Sequence, residues 1–190
     1  LKKLPFTLGI DSSAKMLSRA PQAQGLEFQQ MAAEDFKPAA PFDIVISNAA
    51  LQWTSGHRSL FPKILGWLRP GGQIAVQMPA NFDHPSHQIA NEVAENYGLK
   101  PRPVPVLTME GYLALMMDCG VSDLNVFTKI YPHPMRSPAE VVEWVKGTYL
   151  THFEKQLEPA RFQEFLQDYA AAFIGSIQNN GPYLYTFKRL

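Results

Sequence analysis

The sequence predicts an α/β domain on a largely parallel sheet, and three stretches carry that expectation. FDIVISN (42–48) is a nearly unbroken apolar run through Phe42, Ile44, Val45 and Ile46, which suits a parallel strand buried on both faces. IAVQM (74–78) is a second such run. Between them SLFPKILGWL places Leu60, Ile64, Leu65 and Leu68 at helical spacing and stops at RPGG, where a proline and two glycines end a helix and turn the chain. Strand, helix, turn and strand form a βαβ unit, and such units stack into a parallel sheet covered by helices on both faces.

The other elements follow in order. Leu4 to Ile10 reads as a short strand, and Ser12 or Ser13 as the N-cap of a helix running to about Ala20, because a hydroxyl can accept from an unpaired first-turn N–H. Leu26 to Gln30 is a second strand, followed by the loop MAAEDFKPAAP. After residue 78, HPSHQIANEVAENYG predicts a helix with Pro85 in its first turn and Ile89, Val93 and Tyr97 on one stripe. KPRPVPVLT is a proline-broken loop, TMEGYLALMMDCG a short helix stopped by Gly120, and DLNVFTKIYPHPM a strand ending in prolines. SPAEVVEWVKG carries full helix signals: Ser137 as N-cap, Pro138 at the first helical position, Glu140 for a capping box and Gly147 as terminator. Residues 159–177 form a long amphipathic helix with Phe162, Phe165, Leu166, Tyr169 and Phe173, and PYLYTFKRL is a closing strand.

With 190 residues, 46% hydrophobic and 18% charged, one main domain over 1–190 is expected. No apolar stretch approaches the ~20 residues that span a bilayer, so a membrane is not an expected partner. Lys+Arg and Asp+Glu are both 17, which leaves no net field to draw nucleic acid. The single cysteine, Cys119, can form no internal disulfide and fits a reducing cytoplasm. A secretory signal is absent from the sequence given. The five histidines include no HExxH-type pair, so no metal site is expected.

LGIDSSAKML (8–17) ends an apolar run in Asp11, the way a nucleotide-binding α/β fold presents a carboxylate to a ribose. Such folds carry a glycine-rich turn about 20 residues before that acid, whereas Gly9 is the one glycine ahead of Asp11 here. FDIVISNAALQW and WLRPGGQIAVQMP resemble the fourth and fifth strands of class I S-adenosylmethionine-dependent methyltransferases. NAALQW, AVQMP with Pro-Ser-His at 85–87, YPHPM (131–135) and VVEWVKGT (141–148) together are similar to the trans-aconitate 2-methyltransferase family. The likeness runs from about Leu8 to Leu190.

The resemblance implies a Rossmann-like seven-stranded sheet with a reversed last hairpin, and S-adenosyl-L-methionine held at the carboxyl ends of the strands. It also implies a first strand and glycine-rich loop ahead of residue 1, so the chain is expected to be a piece of a longer protein. Helical additions after strand five (84–118) and near the C-terminus (137–178) are expected to cover the substrate. The resemblance assigns Asp11 to the ribose hydroxyls, Met16 to the adenine edge and Ala33 to the adenine through its backbone, with Ala32 where many relatives carry an aspartate. Ser12 and Asn48 complete the expected cofactor contacts.

The implied reaction is an O-methyl transfer that esterifies a small polycarboxylate such as trans-aconitate. An ionised carboxylate is already nucleophilic, so catalysis rests on positioning and exclusion of water, and no catalytic base is expected. Groups that orient carboxylates are the ones to seek. The candidates are Gln52 and Trp53 just after strand four, His87 at a helix N-terminus that favours anions, His133 and Arg136 in the stiff YPHPMRS loop, and Tyr149 beyond the next helix. Trp144 is expected to pack with Val141, Lys146 to complement a helix end, and His57 to lie in a loop. Two alternatives stand beside this reading. One is a methyltransferase for another carboxylate, such as a malonyl-carrier ester, or for another small metabolite. The other is a cofactor-free fragment acting as an interaction module.

Overall fold

In the computed structural model, residues 6–177 and 181–190 are described. The strand expected from Leu4 therefore begins outside the described residues, as does the last position of the 137–178 addition. The chain divides into two units, 1–76 and 77–190.

In the first unit, β1 (Thr7–Asp11) pairs in parallel with β2 (Leu26–Gln30), Thr7 opposite Leu26 and Asp11 opposite Gln30. A Cβ at Gly9 would stand 2.7 Å from the Phe28 ring, so any larger residue here requires that ring to move aside. Ser13 caps α1 (Ala14–Leu17), its hydroxyl accepting the Met16 N–H at 3.3 Å. The helix is one turn long and stops short of Ala20. None of its residues is buried, and without a packed face so short a helix gains little from further turns.

β3 (Phe42–Asn48) pairs with β4 (Leu68–Gln77), and between them lie a 3-10 turn (Leu51–Trp53) and α2 (His57–Leu65). Two expectations change here. RPGG does not stop the helix. α2 closes at Gly66, whose N–H reaches the Pro62 and Ile64 carbonyls, and Arg69 to Gly72 belong to β4, where Arg69 pairs with Asp43 of β3 at 2.5 Å. Gly72 is required there because a Cβ would lie 2.9 Å from the Arg69 carbonyl oxygen and 3.2 Å from that of Asp43. His57 is not in a loop but opens α2, buried, with Nε2 2.9 Å from the Leu51 carbonyl oxygen and 3.2 Å from the Thr54 hydroxyl.

The two-sided burial expected of β3 is also not met, since Ile44 is 39% and Ile46 67% exposed. Among the described residues β3 has one hydrogen-bonded neighbour, β4, and the face that carries Ile44 and Ile46 is left partly uncovered. The buried residues of this unit come from α2 and its flanks: Leu51, Leu60, Phe61, Ile64, and Trp67 edge-on to Phe36 at 5.0 Å.

In the second unit, α3 (Pro85–Asn96), α5 (Pro138–Lys146), α6 (Thr151–Glu154) and α7 (Pro159–Gly175) bury one continuous core of Ala90, Val93, Val141, Val145, Phe153, Phe165, Tyr169 and Phe173. α4 (Met109–Asp118) is capped by Thr108 and ended by Gly120 at φ 76. Glu140 does not form the expected capping box with Ser137. Its carboxylate accepts the backbone N–H of Arg136 at 2.8 Å and also binds the Arg136 guanidinium, while the Ser137 side chain makes no cap bond.

β5 (Lys129–Met135) pairs antiparallel with β6 (Tyr183–Arg189), with Lys129 opposite Arg189 and Met135 opposite Tyr183. The strand starts later than expected and contains its prolines instead of ending at them. The other edge of β6 binds residues 78–80, through Met78 N–H to the Leu190 carbonyl (2.8 Å), the reciprocal bond (2.9 Å) and Ala80 N–H to the Lys188 carbonyl (3.0 Å). The last hairpin is thus reversed, as the resemblance implies.

Candidate functional site

The residues expected to hold the cofactor fall in the first unit. Asp11 ends β1 half-buried, and its Oδ1 accepts the Ser13 N–H at 2.8 Å. That bond fixes the carboxylate at the strand end while leaving acceptor capacity, since an ionised carboxylate has about four lone-pair sites. The Met31 N–H bonds the Asp11 carbonyl at 3.0 Å, and Gln30 Nε2 bonds the Ser12 carbonyl at 3.2 Å. These bonds bring the turn carrying Ala33 to the same end of the sheet as Asp11 and Ser12. Met16 follows in α1, 59% exposed. A carboxylate with spare acceptor sites, beside an exposed thioether and a turn backbone, fits a nucleoside: diol donors to the acid, an adenine face against the polarizable sulfur.

Asn48 is the last residue of β3 and exposed. Directly after it Ala49 adopts φ 52, the left-handed region that a residue with a Cβ enters at a cost. Its carbonyl is held by Gln52 Nε2 at 2.7 Å, while Gln52 Oε1 is buried with no hydrogen-bond partner. Trp53 is 67% exposed and so is not a core residue. A strained, polar strand end with an exposed aromatic after it is the kind of feature that functional sites retain.

The substrate candidates beyond residue 77 separate into two groups. His87 and Tyr149 meet edge to face, ring centroids 4.2 Å apart, both buried. The Tyr149 hydroxyl donates to Asn91 Oδ1 at 3.1 Å. The guanidinium of Arg102 lies 5.0 Å from the Tyr149 ring centroid and donates to the Thr148 and Tyr149 carbonyls at the end of α5. Burial, with the neighbouring His84 and Arg102, pushes the His87 pKa down to about 3, so this ring is neutral at physiological pH. A neutral ring carries no charge of its own toward a carboxylate, whatever the helix N-terminus contributes. Burial lowers the pKa of Arg102 and raises that of the Tyr149 phenol.

His133 and Arg136 are not part of that cluster. His133 sits on β5 with its ring 5.5 Å from Trp144 and 6.1 Å from Phe187. Trp144 accordingly faces His133 and Tyr185 and is 43% exposed instead of sinking against Val141. Arg136 points into solvent and serves Glu140, holding that carboxyl below its ordinary pKa through backbone and side-chain hydrogen bonds.

Two residues of the cluster were missed in the sequence. Arg102 stood as one cation in a proline-rich loop, and Ser86 as a small residue in a helix start; Ser86 is fully buried between His84 and His87. Its signal was the H-P-S-H pattern, two imidazoles with one hydroxyl at the first turn of α3.

A methyltransferase-domain family matches residues 3–76. A trans-aconitate 2-methyltransferase of Deinococcus radiodurans is 34% identical over 96% of this chain and 74% of its own length. One from Streptomyces coelicolor is 37% identical over 86% of this chain and 59% of its own. Among solved structures, YcgJ of Bacillus subtilis superposes with a TM-score of 0.57 at 15% identity, covering 97% of this chain and 80% of that one.

Proposed function

Because the chain belongs to the trans-aconitate 2-methyltransferase family of class I S-adenosylmethionine-dependent methyltransferases, we propose that it esterifies a small polycarboxylate such as trans-aconitate. The observation that carries this reading is the match to relatives of that name over 96% of the chain, which takes in both units. S-adenosylmethionine is the cofactor, and when bound it supplies an electrophilic methyl group on a sulfonium.

The chain's own residues have the task of placement. Asp11 binds the ribose diol, with Ser12, Met16, Ala33 and Asn48 around the nucleoside and methionine ends. Gln52 and Trp53, after β3, are the first unit's candidates for acceptor contacts. The half-buried Arg102, beside Tyr149, supplies the fixed positive charge that a polycarboxylate needs, because a partly desolvated guanidinium binds a carboxylate more strongly than a fully solvated one. His87 and Tyr149 shape the same spot, while His133 and Arg136 lie apart from it, Arg136 being engaged by Glu140. The helices within 84–118 and 137–178 cover the acceptor and exclude water. No proton needs to leave an ionised carboxylate, so the reaction is a displacement governed by alignment. Among the described residues no helix is long and apolar enough to cross a membrane, and the exposed thiol of Cys119 fits a reducing cytoplasm.

The test is incubation of the protein with methyl-labelled S-adenosylmethionine and a panel of mono-, di- and tricarboxylic acids. Base-labile labelled esters of the polycarboxylates are the expected product. Transfer confined to compounds without a carboxyl group, or to none, overturns the proposal.

A further inference from the structure

Ser86 is fully buried at the start of α3, and its hydroxyl oxygen stands 2.8 Å from His84 Nδ1 and 3.3 Å from His87 Nδ1. A serine hydroxyl has one proton and can donate it to only one of the two rings. His84 decides which. Its Nδ1 also accepts the Ser86 backbone N–H at 3.2 Å, as the cap of α3, and a neutral ring nitrogen that accepts carries no proton. The Ser86 hydroxyl therefore donates to His84 Nδ1, and the His84 proton is on Nε2, which lies 3.4 Å from the Tyr183 phenol oxygen. With its proton committed, Ser86 Oγ can meet His87 Nδ1 only as an acceptor, so the His87 proton is on Nδ1. His87 Nε2 is left with a lone pair. Among the described residues no hydrogen bond is found for it, and His87 is 8% exposed.

We infer that Ser86 is a positioning residue that sets His84 and His87 in opposite tautomers, and that His87 Nε2 is a hydrogen-bond acceptor for an O–H donor on the methyl acceptor. The ligand part rests on the polycarboxylate reading and narrows it. An imidazolium here would bind a carboxylate, whereas a bare nitrogen repels one and takes a hydroxyl or a protonated carboxyl. The two charge requirements of the acceptor are then divided. Arg102, over the Tyr149 ring, is the group for an ionised carboxylate, and His87 selects the position that carries a proton. The neutrality this demands agrees with the low His87 pKa described above.

The test begins with the unliganded wild-type protein labelled with nitrogen-15 histidine, whose long-range proton–nitrogen spectra report the tautomer of each ring. At pH 7, His84 is expected as the Nε2–H form and His87 as the Nδ1–H form, and Ser86→Ala should release His87 from its form. A wild-type His87 that is Nε2–H or doubly protonated overturns the inference, whether or not the variant folds. The second arm adds S-adenosylhomocysteine with citrate, which bears a hydroxyl, or trans-aconitate, which does not. Movement of the His87 Nε2 resonance with citrate equally at pH 6 and 8 identifies a hydroxyl donor. Movement with trans-aconitate at an affinity that falls about tenfold per pH unit identifies a protonated carboxyl. Binding of either acid with that resonance unmoved overturns the donor assignment. If neither acid binds, the polycarboxylate reading fails and takes the donor assignment with it, while the tautomer pair stands or falls on the first spectrum.

Discussion

Replacing Asp11 separates its two roles. The carboxylate accepts the Ser13 N–H at 2.8 Å, and it is proposed to bind the cofactor ribose. Asp11→Asn retains a side-chain oxygen for Ser13 and removes the charge; Asp11→Ala removes both. The part-exposed turn bond from the Ser13 N–H is worth about 1 kcal/mol of stability, so Asp11→Ala should lower the unfolding free energy by about that amount and Asp11→Asn by less. Hydrogen bonds to a charged group are worth about 1.5–3 kcal/mol, which weakens cofactor binding by roughly ten- to one-hundred-and-fifty-fold in either variant. Calorimetric titration with S-adenosylhomocysteine gives the affinity, and urea unfolding of the same preparations gives the stability. If Asp11→Asn binds S-adenosylhomocysteine as tightly as the wild type, the carboxylate is a turn acceptor and nothing more, and the placement of the ribose is wrong.

Other outcomes follow from the second unit and the end of β3. In the unfolded chain the His87 pKa returns to about 6.5, whereas the folded ring resists protonation to about pH 3. Stability is therefore complete above pH 6.5 and lost as pH falls, by about 2 kcal/mol between pH 7 and 5; urea midpoints that do not move over this range refute the buried neutral ring. Phe165 is fully buried against Phe153, Phe162 and Tyr97, so Phe165→Ala should cost about 3–5 kcal/mol by denaturant unfolding. Ala49→Gly relieves the left-handed backbone and should raise stability by about 1 kcal/mol. A lower melting temperature for that variant argues against strain at the strand end.

The sequence and the structure agree where one local rule governs. β2 and β3 have the expected limits, and α5 runs from its first-position proline to its terminating glycine. They part where a distant partner outweighs the local signal. RPGG looks like a helix stop, yet Asp43, some 26 positions earlier, holds Arg69 in β4. FDIVISN has the composition of a buried strand, but burial depends on neighbouring strands that no single segment specifies. The candidate site divides in the same way. Asp11 was legible because strand-end acids are placed by their own segment. Arg102 was not, since its meaning comes from Tyr149, 47 positions away. The place of His87 at a helix start was legible in its own segment, but its neutrality was not, because that follows from burial among distant residues.

The alternating prolines of β5 have a consequence beyond the hairpin itself. Pro132 and Pro134 lie opposite Thr186 and Leu184 in the register, two residues apart and so on the same edge of the strand. A proline inside a ladder is tolerated where its nitrogen faces away from the partner strand, so both point to the side where β5 pairs with nothing among the described residues. That edge has lost donors at two successive outward positions, although Ile130 and Leu184 leave exposed apolar surface on the hairpin, at 54% and 56%. A sticky hairpin is thereby denied the ladder that would let a second molecule extend it, and the chain is protected from strand-to-strand aggregation along this edge.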